Sequence, residues 1–227
     1  MAYQIPLLIA LAYLLGSIPT AYVAGRWLRG IDLRRYGSGT VSGSMVWEHV
    51  SRWAIVPFGL FDVLKAAFPA WLALRLGHGP PVALAAGLAA AVGHNWPVFL
   101  HFTGGRAISC FLGTWVVLFP WGAPWILGFL IAGFALGDSA PWALASLATV
   151  SLLSALIGGP PIVLPAAVAM VALTLAKRLE ANGRPLPPPG PERRAVLWRR
   201  LVFDRDIASH QAWIRRRPDN SGQPGAE

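Results

Sequence analysis

The sequence predicts an all-α, polytopic membrane protein with about seven transmembrane helices. Three observations carry this reading. Of 227 residues, 55% are hydrophobic and only 13% charged, where a soluble domain carries about a quarter. Mean hydropathy is +0.53. The apolar content also runs almost unbroken from Met1 to about Ala176, in stretches near the ~20 residues that a helix needs to cross the hydrocarbon core.

The first span is Ile5 to about Trp27. No basic region precedes it and further spans follow, so it reads as a retained helix rather than a cleaved signal. A polar, glycine-rich loop runs from Arg29 to Arg52. The second span, Trp53 to about Leu76, ends at the turn Gly77-His78-Gly79-Pro80-Pro81. The third, Val82 to about Leu100, leads into the tight loop Thr103-Gly104-Gly105-Arg106. Ala107 to Gly137 is too long for one ordinary span, and Pro120-Trp121-Gly122-Ala123-Pro124 divides it into two short helices. Pro141 to Ile157 is the sixth span, and after Gly158-Gly159-Pro160-Pro161 the seventh is Ile162 to Ala176. Six spans with a re-entrant piece is the alternative count.

The net charge of +9 and pI of about 11.0 invite a nucleic-acid reading. The distribution argues against it, because the arginines flank apolar segments. Arg26, Arg29, Arg34, Arg35, Arg52, Arg106, Lys177 and Arg178 fall on one side of a seven-span topology, and only Arg75 and His78 on the other. The positive-inside rule then puts the N-terminus outside and the C-terminus in the cytoplasm. Cys110, the single cysteine, lies in an apolar run and has no intrachain partner.

Residues 1–180 form the membrane domain, and 181–227 a cytoplasmic tail. Pro185-Leu186-Pro187-Pro188-Pro189-Gly190-Pro191 is a stiff linker. From Arg194 to Arg217 basic and apolar residues alternate, as in an amphipathic helix on anionic lipid; a disordered basic tail is the alternative. Asp219 to Glu227 reads as disordered.

Polar side chains inside apolar spans are costly and mark sites. Asp62 and Lys65, three apart, share a helix face and suit a structural ion pair. His94, in Gly93-His94-Asn95-Trp96-Pro97, stands close before Gly104-Gly105-Arg106. Imidazole serves as base or donor near neutral pH, although a lone interfacial histidine can equally be satisfied by a carbonyl. Glycine N–H groups at a helix start can converge on an anion, and Arg106 adds a forked donor. The first loop, with Arg34, Arg35, Gly37, Ser38, Gly39 and further serines, is a second candidate anion nest.

These segments together resemble a known family. Leu15-Gly16-Ser17-Ile18-Pro19, Gly30-Ile31-Asp32-Leu33-Arg34, Gly37-Ser38-Gly39, Asp62-Val63-Leu64-Lys65, Gly93 to Leu100 and Gly104-Gly105 are similar, in order, to the signatures of the bacterial acyl-phosphate:glycerol-3-phosphate acyltransferases, the PlsY family. The resemblance implies a seven-helix enzyme of phospholipid synthesis in the bacterial cell membrane, its site facing the cytoplasm. It implies direct acyl transfer from acyl phosphate to glycerol 3-phosphate, giving lysophosphatidic acid, without cofactor, metal or covalent acyl-enzyme. Ser38 and His94 would act in catalysis. Arg34, Arg35, Gly37, Gly39, Asn95, Gly104, Gly105, Arg106 and Ser146 would bind substrate phosphate.

The chain departs from the family pattern in places. Thr40, Ser42, Gly43, Ser44 and Met45 replace its Asn-x-Gly-Ala-Thr-Asn continuation, and Glu48 stands where it has arginine. Gly-Gly-Lys-Gly becomes Gly104-Gly105-Arg106-Ala107. Ala140 and Ala143 replace an arginine and a serine before Ser146, and no closing His-x-x-Asn is found near Ala176 to Asn182. Two other readings therefore stay open: a relative that binds lipid or phosphate without turnover, and a small transporter using Asp62, Lys65 and His94 as a polar relay.

Overall fold

The computed structural model describes residues 3–217, and every regular element among them is helical. The expectation of disorder over Asp219–Glu227 lies outside the described residues. The helices are α1 (Gln4–Gly16), α2 (Thr20–Arg29), α3 (Gly43–His49), α4 (Ile55–Arg75), α5 (Gly79–Asn95), α6 (Ile108–Leu118), α7 (Gly122–Ala135), α8 (Ser139–Leu156), α9 (Val163–Glu180), α10 (Pro191–Phe203) and α11 (His210–Ile214).

Four segments are long and apolar enough to cross a membrane: Gln4–Arg29, Ile55–Arg75, Gly79–Leu100 and Ser139–Leu156. At 1.5 Å per residue α4 is about 31 Å long, matching the hydrocarbon core. The shorter α6 and α7 meet at the turn before Gly122, as the two prolines there predict. The first span is broken. Ile18 precedes Pro19, which disfavours helical backbone at Ile18 and separates α1 from α2.

The faces of α4 show how the bundle is sorted. Asp62, Lys65, Ala66, Pro69, Ala70 and Ala73, at helical spacing, are buried. Leu60, Leu64, Phe68 and Trp71 point outward and are exposed, as lipid-facing residues must be. α4 packs between α5 and α6, α1 lies on α5, and α7, α8 and α9 follow in turn. Small residues permit this closeness. A Cβ on Gly93 would run into the Tyr13 carbonyl of α1, and one on Gly113 into the Val63 carbonyl of α4.

A second, smaller core lies under the first loop. Ala21, Ala24, Leu33, Val41, Met45, Val46, Val50, Ala54 and Leu100 form it, and Ile214 from α11 packs against it. Residues 194–217, expected as one amphipathic stretch, make two helices, because Asp204 adopts a left-handed φ of 54° that ends α10. Nor does the tail stand apart from the bundle. Arg178 of α9 donates to the Leu201 and Val202 carbonyls at 2.7 and 3.0 Å. Arg200 is buried and pairs with Asp206 at 2.6 Å, and Arg205 pairs with Asp138.

Candidate active site

A buried polar group inside the bundle is built on Lys65. Its ammonium forms an ion pair with Asp62 Oδ1 at 2.7 Å and donates to the Ile18 carbonyl at 3.1 Å and to His94 Nδ1 at 2.9 Å. Thr20 Oγ1 adds a 2.6 Å hydrogen bond to the same Asp62 oxygen. A buried ion pair is tolerable when hydrogen bonds support it, and here Thr20, the Ile18 carbonyl and His94 do so. The Ile18 carbonyl is available because the backbone leaves the helix at Pro19.

This geometry also sets the state of His94. Lys65 donates to Nδ1, so the neutral imidazole carries its hydrogen on Nε2. The Asp62 oxygen lies 3.6 Å from Nδ1, too far for a competing hydrogen bond. Nε2 faces Gly105, where a Cβ would collide with it. His94 is therefore arranged as a donor on that edge rather than as a free base.

α5 ends at Asn95 because Pro97 cannot continue it. The chain then turns through His101, Phe102 and Ala107, three non-glycine residues with left-handed φ of 51°, 64° and 56°. Each such residue stores on the order of 1 kcal/mol or more. Between them lies the glycine loop. Gly105 N–H donates to the His94 carbonyl at 3.1 Å, and Gly104 N–H to Asn182 Oδ1 at 3.3 Å. A Cβ on Gly104 would strike the carbonyls of His94 and Asn95.

In the first loop Gly37 and Gly39 take left-handed φ of 49° and 68°, holding Ser38 between them. Its hydroxyl lies 2.6 Å from Thr40 Oγ1, which lies 2.9 Å from Ser42 Oγ, itself 3.0 Å from Ser44 Oγ. This chain of hydroxyls leads from the half-buried Ser38 to the exposed Ser44. The Arg34 guanidinium grips Asp32 at 2.7 Å and, through that hydrogen bond, holds the Asp32 carboxyl below the usual carboxylate range.

The two loops touch. Val41 N–H donates to the Gly104 carbonyl at 3.2 Å. Asn182, with a left-handed φ of 55°, donates Nδ2 to the Gly39 carbonyl at 3.1 Å and the Gly104 carbonyl at 3.2 Å. Between them opens a narrow cleft bounded by Ser17, Pro19, Val41, His94, Pro97 and Gly104.

A family model described as glycerol-3-phosphate acyltransferase matches residues 6–185. The chain belongs to the glycerol-3-phosphate acyltransferase family. Glycerol-3-phosphate acyltransferase 5 of Dehalococcoides mccartyi is 34% identical over 210 residues, 90% of each chain. The acyltransferase of a Synechococcus strain is 40% identical over 158 residues, covering 70% of this chain and 75% of its own. Among solved structures, the glycerol 3-phosphate form of PlsY (YgiH), an integral membrane glycerol 3-phosphate acyltransferase, aligns at a TM-score of 0.71 with 30% identity, over 80% of this chain and 91% of that one. Its lysophosphatidic acid form aligns at 0.69 with 28% identity. The protein is thus an acyltransferase of the membrane, and the binding-relative and transporter readings give way to it.

Within the acyltransferase fold, the expected site residues separate into two groups. Ser38, Gly37, Gly39, His94, Gly104 and Gly105 converge on the two touching loops. The glycine N–H groups of the two loops are paired within the protein, however. Gly37 N–H donates to the Arg216 carbonyl at 2.7 Å and Gly39 N–H to Tyr36 at 2.8 Å, so all four glycine donors are used internally. The glycines serve close packing instead. Arg106 is paired with Asp204 at 2.7 Å and donates to the Lys177 carbonyl at 3.2 Å, and Arg34 is held by Asp32. Arg35 is exposed. Ser146 is fully buried and spends its hydroxyl on the Ala143 carbonyl at 2.7 Å. Asn95 is fully buried, and neither atom of its amide has a protein partner among the described residues. Asp62 and Lys65 pair, but with His94 and Thr20 they make a four-residue group rather than an isolated bridge.

Sequence reasoning missed Asn182, Arg178 and Arg184. For Asn182 a signal existed, an asparagine where a His-x-x-Asn was sought without its histidine. Arg178 Nη2 reaches the Ala140 carbonyl at 2.6 Å, the position at which the family pattern has its own arginine. The neighbouring α9 brings the cation there, which no reading along α8 could find.

Proposed function

We propose that the protein transfers an acyl chain from acyl phosphate to the first hydroxyl of glycerol 3-phosphate, giving lysophosphatidic acid at the cytoplasmic face of a bacterial membrane. Seven spans with an external N-terminus are part of this reading, and the arginine asymmetry supports them. The observation that carries the proposal is the meeting of the Ser38 and Gly104-Gly105 loops beside His94. One atom group of each substrate has to come together there.

The ester C–O bond forms as the acyl carbon–phosphate oxygen bond breaks. The His94 geometry supports a donor's role for it, through Nε2, toward the carbonyl or the loop. The hydroxyl proton then passes to the departing phosphate, which is basic enough to take it. Ser38 donates to a phosphate or carbonyl oxygen. Rate enhancement comes from alignment and charge stabilisation.

Purified protein supplied with palmitoyl phosphate and labelled glycerol 3-phosphate should form lysophosphatidic acid. Ser38→Ala and His94→Ala should each slow transfer at least about tenfold, or about 1.4 kcal/mol of barrier, in variants that still insert. Absence of turnover by the unmodified protein with acyl phosphate, but turnover with an acyl thioester, would overturn the donor assignment. Inactivity with every donor would overturn the reaction.

A further inference from the structure

Beyond residue 185 the chain lies outside the segment that the family model matches, yet it folds back over the first loop. The Arg216 carbonyl takes the Gly37 N–H at 2.7 Å, and His49 Nε2 lies 2.8 Å from the Ile214 carbonyl. Glu48 faces Arg215 at 3.5 Å, and Ile214 packs into the core beneath. Trp213, from the same helix, is buried.

Arg184 sits under this strap. Its guanidinium lies over the Trp213 ring, 4.3 Å from the centroid. Nη2 donates to the Gly37 carbonyl at 3.3 Å, and a Cβ on Gly39 would come within 2.8 Å of the same nitrogen. The cation is therefore pressed flat against Gly37-Ser38-Gly39. Nη1 is buried and has no hydrogen-bond partner among the described residues. The nearby carboxylate, Asp206, is already held by Arg200 at 2.6 Å. Burial first, and the charge of Arg216 next, push the Arg184 guanidinium down to about 10. Glu48 stands where the family pattern has an arginine, so the first loop's own helix does not supply a cation.

We propose that Arg184 receives a substrate phosphate at the first loop and that Trp213, carried by the tail, is the positioning residue that holds it there. This rests on the acyltransferase reading, in which both substrates end in phosphate. A guanidinium anchored on the Gly37 carbonyl through Nη2, with Nη1 unpartnered among the described residues, suits an oxyanion, and stacking on an aromatic face fixes a guanidinium plane without using its N–H groups. The tail beyond the segment that the family model matches thereby becomes part of the binding site.

The test uses the full chain in nanodiscs, with two readouts. In thermal unfolding, inorganic phosphate should raise the midpoint of the unmodified protein and leave Arg184→Met unmoved. In steady-state transfer, Arg184→Met should raise KM for glycerol 3-phosphate or for acyl phosphate about tenfold with kcat within about threefold. The substrate whose KM rises identifies the phosphate received. Trp213→Ala should show a smaller rise in the same KM, and Trp213→Phe should restore it. Arg184→Lys keeps the charge without the fork and should fall between, which keeps the test open if the methionine variant does not fold. An equal phosphate shift in Arg184→Met, no shift in the unmodified protein, or unchanged KM for both substrates overturns the proposal. The unfolding arm decides even if the unmodified protein turns over no acyl phosphate, so loss of the reaction and loss of the site are distinguishable.

Discussion

The loop around Gly37-Ser38-Gly39 and the loop around Gly104-Gly105 are both short glycine runs next to apolar spans, but their surroundings differ. The second is set into the bundle. His94 stands behind it, its carbonyl accepts the Gly105 N–H, and the Lys65 group fixes His94 in turn. Three left-handed non-glycine residues flank it, a conformation that only tight packing sustains. The first loop rests on a small separate core and is covered by the C-terminal strap through one backbone hydrogen bond, a ring stack and a loose ion pair. One loop is fixed by what lies beneath it and the other by what lies over it. The contrast is between a loop set rigidly into the bundle and one whose cover comes from beyond the segment that the family model matches.

The sharpest way to break this contrast is to disturb the rigidly set loop. In Gly105→Ala the added methyl would overlap His94 Nε2 and come within 2.6 Å of the Val41 carbonyl. Overpacking of this kind costs about 1–3 kcal/mol, and a shift of about 1 Å in a reacting group costs about a hundredfold. Transfer should fall about a hundredfold, with a lowered unfolding midpoint. Activity within about tenfold of the parent would mean that this loop gives more than the packing allows.

The link between the loops offers a middle-sized test. Asn182→Gly removes three hydrogen bonds while keeping a residue at ease with left-handed φ. At about 1 kcal/mol each, less the part that water recovers, stability should drop by about 1–2 kcal/mol. Asn182→Ala should drop it by a further 1 kcal/mol or so, because alanine is strained at φ 55°. Denaturant midpoints check both. Equal losses would place the residue's value in the bonds alone.

Glu48→Gln probes the loose cover and should do least. Arg215 and Glu48 approach only to 3.5 Å, and Arg215 is largely exposed. Exposed pairs are worth about 0–1 kcal/mol. Stability should change by less than about 1 kcal/mol, and KM should stay within about twofold if Arg184 rather than this pair serves the loop. A large change would make the Glu48–Arg215 contact part of the site.

Length and composition alone determined that this is a helical membrane protein, because hydrocarbon tolerates only backbones that satisfy themselves, and helices of about 20 residues do so. The turn at Pro120 was equally legible, since proline acts locally, whereas the breaks at Pro19 and before Pro97 fall inside stretches that read as continuous spans and came to light only in the structure. His94, Ser38 and the glycine pairs were legible as candidates through their order along the chain, and the structure brings their loops into contact. Their roles were not. Whether a glycine N–H waits for an anion or is already paired depends on residues far away, Asn182 for Gly104 and Arg216 for Gly37. The donor edge of His94 depends on Lys65, 29 positions earlier. Arg106 looked free along the sequence, and Asp204, 98 positions on, claims it. Hydrogen bonds and ion pairs act over about 3 Å in space and carry no mark in sequence spacing. The assignment of each charge to its protein partner therefore belonged to the tertiary structure.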